Sequence, residues 1–177
     1  MAATFTVSTP MVRGFIRACL ALSTFFSLVA CHSTKETLTV HDVPNYSPKA
    51  APQTLFLDFE INQSTTSQSE RVTLVNSIIG NGGMKSLARP VHNPYQIKLV
   101  RHFADGRLTE RDSLEHPLFR SIEIAEPDGT LSQKPLREHN GHFSVRVPYV
   151  KALDRIDMYS VTPDKGLVKI HTIRLRL

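Results

Sequence analysis

The sequence contains no tryptophan and only two cysteines, Cys19 and Cys31. No cysteine follows Cys31, so the rest of the chain can form no disulfide, no thiolate metal site and no cysteine nucleophile. Its aromatic residues are mostly phenylalanines scattered through apolar segments, a distribution that favours a packed core over a stacking surface for sugars or bases. The stability of the chain therefore has to come from non-covalent packing.

The motifs of several enzyme classes are also missing. The sequence has neither the Gly-x-Ser-x-Gly motif of serine hydrolases nor the His-Glu-x-x-His motif of zinc peptidases. The segment Gly80–Ser86 is glycine-rich, but its spacing does not fit the phosphate-binding P-loop. In that segment Met84 separates Gly83 from Lys85. We therefore predict that the chain is not an enzyme and uses no cofactor.

A largely apolar run lies near the amino terminus. Ala18–Ala30 contains no charged residue and follows Arg13 and Arg17. A basic segment followed by about 7–15 apolar residues is typical of a secretory signal peptide. The run is shorter than the roughly 20 residues that a membrane-spanning helix needs. The sequence therefore predicts export of the chain.

The motif Leu28-Val29-Ala30-Cys31 closes this run and resembles the lipobox of bacterial lipoproteins. The resemblance implies cleavage between Ala30 and Cys31 and attachment of a diacylglycerol to the Cys31 sulfur. It also implies a further acyl chain, such as palmitate, on the new amino terminus. Several acyl chains hold a protein stably at a membrane, whereas one chain binds it only reversibly. The alternative is an ordinary secretory signal that happens to contain a cysteine.

Two further residues bear on this signal. Met11 lies just before both arginines, so we expect translation to start at Met11 rather than at Met1. His32 occupies the position where an aspartate in a Gram-negative lipoprotein resembles a signal for retention in the inner membrane. For a Gram-negative host, the resemblance thus implies an outer-membrane lipoprotein that faces the periplasm or the cell surface.

Beyond the signal peptide of residues 1–30, we predict two regions. Residues 31–53 contain Pro44, Pro48 and Pro52 and are expected to form an extended tether. Residues 54–177 have the size of one domain. Loss of residues 1–30 removes two of the 21 basic residues and none of the 16 acidic ones, which leaves a net charge of +3. This excess is spread along the sequence, so no nucleic-acid partner is expected.

The predicted domain shows the period-two alternation of β-strands rather than long amphipathic helices. The clearest examples are Leu55–Ile61 and Phe143–Tyr149, where apolar residues alternate with others. Turn signals follow other apolar runs at Glu126–Gly129 and Thr162–Gly166. A change of phase near His171 predicts a β-bulge in the last strand.

Residues 68–79 fit two interpretations. Ser67–Glu70 has the pattern of a capping box that opens a helix ending at Gly80. The β-branched residues Val72, Thr73 and Val75 favour a strand instead. With a strand at this position, we predict a single antiparallel β-sandwich of about seven strands, immunoglobulin-like or transthyretin-like.

The order of these elements resembles the amino-terminal β-sandwich of the M64-type bacterial peptidases. The likeness rests on a first strand at Leu55–Ile61, a strand–Asp-Gly–strand unit around Tyr95–Arg111 and the later strand Phe143–Tyr149. It covers roughly residues 54–175 and is not followed by the zinc-peptidase domain of that family. The resemblance therefore implies an accessory module without catalytic residues.

Glu138, His139 and His142 are the best candidates for a metal site, because carboxylates and imidazoles are common ligands of zinc and copper. The pair Asn140-Gly141 is typical of a hairpin turn, which would place the two histidines at its ends. A solvent-exposed hairpin explains the same residues without a metal. We expect a lipid-anchored module that binds another envelope protein through sheet edges and loops such as Gly80–Pro94. Metal or small-ligand binding is the alternative.

Overall fold

A computed structural model describes residues 33–84 and 93–177 of the protein. The predicted signal peptide and Cys31 lie outside these residues. The described residues form ten strands and a short 3-10 helix, Val40–Asp42. The strands are β1 (Thr34–Thr39), β2 (Gln53–Gln63), β3 (Glu70–Asn81), β4 (Gln96–Phe103), β5 (Glu110–Glu115), β6 (Phe119–Ala125), β7 (Leu131–Arg137), β8 (Asn140–Tyr149), β9 (Leu153–Thr162) and β10 (Gly166–Arg176).

The strands form three sheets. The largest has five strands in the order β1-β10-β9-β4-β5, and a second has three in the order β3-β2-β8. β6 and β7 form a separate two-stranded sheet. Only the pairing of β1 with β10 is parallel among these described strands. The five-stranded and three-stranded sheets share one apolar core, which confirms the prediction of an all-β, sandwich-like domain.

β2 shows how the sequence builds this core. Leu55, Leu57, Phe59 and Ile61 are completely buried, as the predicted alternation requires. Their burial contributes about 0.8 kcal/mol for each CH₂ group removed from water. Other strands add buried side chains to the same cluster, among them Val72, Ile79, Ile97, Leu99, Val145, Val147, Ile156, Met158, Ile173 and Leu175.

Several local predictions are confirmed. Within the segment 68–79, residues 70–79 belong to a strand, β3, and not to a helix. The turns before β7 and β10 contain Gly129 at φ 83° and Gly166 at φ 68°, conformations that glycine adopts without strain. The register of β9 and β10 shifts between Lys169 and His171, where a bulge is predicted.

The structure has more strands than the seven or so predicted. The strands that the sequence does not predict include β1 and β7, which have six and seven residues. Their sequences are dominated by polar and charged residues, so they lack the apolar alternation that identifies β2 and β8. β1 forms because the longer strand β10 provides a pairing partner, and β7 forms by pairing with β6, which has the same length.

The largest difference concerns the predicted tether of residues 31–53. Thr34–Thr39 is a strand that pairs along its whole length with residues 171–176 of β10. The helix that follows buries Val40, which is 1 % exposed. Sequence distance hides this pairing, because the partner strand lies near the other end of the chain. The folded domain therefore includes Thr34–Asp42 and does not begin at residue 54.

Side chains of β1 also join the two large sheets. Thr34 Oγ1 donates a hydrogen bond to the Val72 carbonyl oxygen at 3.0 Å, and the Leu74 N–H donates to Glu36 Oε2 at 3.3 Å. Val72 and Leu74 lie on β3, the edge strand of the three-stranded sheet. Unpaired groups on a strand edge are otherwise open to pairing with another chain. We call this contact the β1–β3 seam.

His171 lies at this seam and is 1 % exposed. Its Nδ1 is 2.5 Å from Thr34 Oγ1, and its ring meets Phe59 edge-on with 6.0 Å between centroids. Its Nε2 has no hydrogen-bond partner among the described residues, and Glu36 Oε2 is 3.6 Å away. Burial therefore dominates and lowers the pKa of His171 from 6.5 to about 4. The ring is neutral at neutral pH.

We expect His171 to make the domain less stable in acid. The neutral ring contributes fully above pH 6.5, and this contribution is lost as the pH falls towards about 4. The reason is that the unfolded chain binds the proton more readily, at a cost of about 3 kcal/mol over this range. Urea unfolding at a series of pH values should show a flatter dependence for His171→Leu than for the natural protein. His139→Gln, at an exposed position, is the control. Equal slopes for His171→Leu and the natural protein would contradict the prediction.

Candidate functional site

The structure brings together two of the three predicted metal ligands. Glu138 and His142 line one surface cavity, whereas His139 is exposed and lies outside it. Within residues 33–84 and 93–177, no group of three or more His, Cys, Asp or Glu side chains is placed to hold a metal ion. The predicted three-ligand site is therefore not assembled in this structure.

Asn140 and Gly141 are not a hairpin turn, and this prediction is wrong. They begin β8 and pair with Asn62 and Ile61 of β2, whereas β7 pairs with β6. Gly141 is suited to a close approach, because a Cβ atom there would lie 3.0 Å from the Cβ of Pro117. The Asn-Gly sequence reflects tight packing against Pro117 rather than a change of chain direction.

The cavity that contains Glu138 and His142 has a volume of about 470 Å³. Its wall carries charges of both signs, from Glu115, Glu138 and Arg120. Cavities for drug-sized ligands are mostly apolar with a few polar groups. The lining residues are Glu115, His116, Pro117, Arg120, Glu138, Asn140, Gly141, His142 and Phe143. The mixture of charges suits a small polar ligand better than an apolar one.

His116, on the inner side of this cavity, is completely buried. Its Nε2 lies 3.1 Å from Ser160 Oγ and 3.3 Å from Glu70 Oε2. Its Nδ1 accepts a hydrogen bond from the Leu118 N–H at 3.3 Å. Because Nδ1 acts as an acceptor, the imidazole hydrogen is on Nε2, where it faces both the hydroxyl and the carboxylate.

This cluster differs from a catalytic triad. In a Ser-His-Asp triad the serine and the acid contact opposite nitrogens of the imidazole, whereas Ser160 and Glu70 both contact Nε2 of His116. Ser160 is on β9 of the larger sheet, and Glu70 begins β3 of the smaller one. Buried polar groups are costly unless they are hydrogen-bonded. The cluster therefore acts as a polar bridge between the two sheets.

β6 and β7 form a hairpin, which we call the arm (Phe119–Arg137). Neither strand pairs with any other strand of the described chain. Ile122 is 41 % exposed, and its register neighbours place Ile124 and Leu136 on the same side of the hairpin. We call Ile122, Ile124 and Leu136 the arm face. The same side also carries Arg120, Ser132 and Lys134, so the arm face is an apolar cluster bordered by polar and charged side chains.

The arm is ordered at both ends. At its base, Phe119 stacks on Tyr95 with 4.6 Å between ring centroids, and the Arg137 guanidinium lies 4.9 Å from the Phe119 ring. At its tip, the Glu126 N–H donates to the Thr130 carbonyl oxygen at 2.8 Å. These contacts fix the direction of the arm, so the arm face is presented in a defined orientation.

The sequence predicts the turn at the tip of the arm, but it does not predict a contact surface on the arm. The sequence predicts contact surfaces at sheet edges and loops such as Gly80–Pro94, and residues 85–92 of that loop lie outside the described residues. Whether Ile122 is exposed depends on what packs over this side of the hairpin, which alternation alone does not reveal. The sequence signal for the arm is a short apolar strand, β6, followed by a polar strand that contains proline, β7.

Comparison of the chain with protein families, with curated proteins and with solved structures finds no match in any of the three. The lipobox and the likeness to M64-type sandwiches therefore stay predictions. Within the described ranges, no helix is long and apolar enough to cross a membrane.

We expect the Glu138–His142 cavity not to bind zinc or copper tightly. Its lining includes Glu115, His116, Glu138 and His142, but no three ligand-type side chains of the described residues are placed to hold one ion, and a structural zinc site normally requires four ligands. Equilibrium dialysis of the full chain should show no stoichiometric binding at micromolar metal. Stoichiometric binding that is lost in His142→Ala and kept in His41→Ala would overturn this prediction and establish a metal site.

Proposed function

We propose that the chain is a non-enzymatic lipoprotein of a bacterial cell envelope and that its arm binds another envelope protein. The observation that carries this proposal is the arm face, with Ile122 41 % exposed, on a hairpin that pairs with no other described strand. Exposed apolar surface on an ordered element favours a protein–protein contact. A hairpin of two strands alone is only marginally stable in water, so a partner would stabilise it further.

The proposed anchor is the acylated Cys31. Its support is the basic segment with Arg13 and Arg17, the uncharged run Ala18–Ala30 and the lipobox that closes it. The same resemblance supports an outer-membrane location in a Gram-negative host, facing the periplasm or the cell surface.

Strand addition is the proposed mode of binding. Each strand of the arm has one side without a partner strand among the described residues. Pro135 in β7 has no N–H group, and proline in a strand places its nitrogen on the side away from the ladder. The open side of β6 therefore offers the fuller set of hydrogen-bonding groups to an incoming strand. The arm face adds an apolar contact beside it.

A small polar ligand in the Glu138–His142 cavity is a second candidate function. The specific observation in its favour is the presence of Glu138, His142 and Arg120 around one volume of about 470 Å³. Carboxylate, imidazole and guanidinium groups together supply donors and acceptors for such a ligand. The dialysis experiment above tests the metal version of this candidate.

We expect Cys31→Ser to move the protein from the membrane fraction to the soluble fraction, because the acylated sulfur is lost. Cys19→Ser is the matched control, since this cysteine lies inside the uncharged run and should not affect anchoring. Immunoblotting of fractionated cells measures both. Globomycin, which blocks cleavage of lipoprotein precursors, should cause the precursor to accumulate. Retention of Cys31→Ser in membranes washed at high salt would contradict the proposed anchor.

We expect a photo-crosslinking residue at Ile122 to capture a specific partner in intact cells. The position lies on the arm face, whereas Leu108, at 89 % exposure, lies on a loop away from it and serves as the control. An Ile124→Asp substitution should abolish the Ile122 adduct without lowering the melting temperature by more than a few degrees. The same adducts at both positions, or an adduct that survives Ile124→Asp, would rule out the arm as the binding surface.

A further inference from the structure

The basic residues of the domain are spread along the sequence but gathered in the structure. Strand alternation points Ile97, Leu99, Ile156, Ile173 and Leu175 into the core. The intervening positions of the five-stranded sheet therefore face outwards. We call its outward side the basic face and define it by Lys35, Lys98, Arg155, Lys169, Arg174 and Arg176.

The strand register places these side chains in adjacent rows. Lys98 and Lys169 flank Tyr159, and Arg155 lies opposite Arg174. Lys35 lies opposite Thr172 at the β1 edge. Partners across neighbouring strands point to the same side of a sheet. The basic side chains thus cover four of the five strands.

Few acidic side chains offset this charge. Asp157 is the acidic residue at the centre of the face, and Lys169 Nζ contacts its Oδ1 at 2.8 Å. Burial opposes ionisation, yet hydrogen bonds from Lys169 and Thr172 hold the pKa of Asp157 below its usual value. Glu115 lies at the β5 edge, where Arg111 adds a further positive charge. The face therefore has a clear net positive charge.

The outward side of the three-stranded sheet has no such excess. It carries two acidic residues, Asp58 and Glu60, and two basic ones, Arg71 and Arg146. The positive charge is thus concentrated on one side of the sandwich. The earlier prediction that the basic residues form no cluster is wrong, because it considered only their distance along the sequence.

We propose that the basic face lies against a membrane surface that contains anionic phospholipids. This inference rests on the proposed acylation of Cys31. Cys31 is three residues before Thr34, and three extended residues span at most about 11 Å. The edge of the basic face therefore lies close to the headgroups, within a distance similar to the Debye length of about 8 Å at physiological salt. Lys and Arg near an anionic leaflet are attracted to it.

The test uses the full chain with Cys31→Ser, so that acyl chains cannot contribute to binding. Flotation with vesicles of equal parts phosphatidylcholine and phosphatidylglycerol should show binding at least about tenfold tighter than with phosphatidylcholine alone, and salt should weaken it. The double variant Lys98→Glu/Arg174→Glu should bind these vesicles about tenfold more weakly. Arg71→Glu/Arg146→Glu, with the same charge change on the other sheet, should change it less than about twofold.

Three results would overturn the proposal. They are equal binding to both kinds of vesicle, equal losses in the two double variants, and tighter binding to duplex DNA than to the anionic vesicles at the same salt. The last result would assign the face to nucleic acid. Failure of the anchor is separable, because it appears as retention of Cys31→Ser in cell membranes washed at high salt, where attraction to the basic face is screened, and it leaves the difference between the vesicles unaffected.

Discussion

The pairing of β1 with β10 is the contact on which the sandwich depends. It completes the five-stranded sheet through the backbone, and Thr34 and Glu36 reach across to β3 of the other sheet. Because no cysteine follows Cys31, no disulfide cross-links the two sheets. Polar contacts link the two sheets at two places. One is the β1–β3 seam, and the other is the His116 cluster that joins β3 to β9. The apolar core packs between the two sheets, while the β1–β3 seam covers the edge of β3 against pairing with another chain.

The sequence predicts the parts of this fold in which local pattern and burial agree. β2 and β8 alternate strictly because one side of each faces the core, and the bulge at His171 appears as a change of phase. β1 escapes prediction because Lys35 and Glu36 interrupt any apolar pattern, and its stability comes from a strand far away in the sequence. The prediction of a turn at Asn140-Gly141 is wrong for another reason. Gly141 allows close packing against Pro117 and does not form a turn.

The candidate surfaces are harder to predict than the strands. The basic face exists only when the register of four strands is known, since its residues are separated by long stretches of sequence. The arm face can be recognised only when the pairing of all the strands is known. Glu138 and His142 do meet at one cavity, as their spacing suggests, but His139 points elsewhere because successive residues of an extended chain face opposite sides. A spacing in sequence identifies candidate ligands, whereas strand geometry decides which of them converge.

The parallel arrangement of β1 and β10 has a mechanical consequence. Tension applied to the amino-terminal end of β1, along the strand, acts on the hydrogen bonds to residues 171–176 at the same time. A strand pulled away sideways would instead lose these bonds one after another. Simultaneous loading makes rupture a cooperative event, governed by the barrier to unfolding rather than by a single weak bond. β1 is thus loaded in shear when it is pulled along its axis. It resists force best in the direction from which the preceding chain would pull.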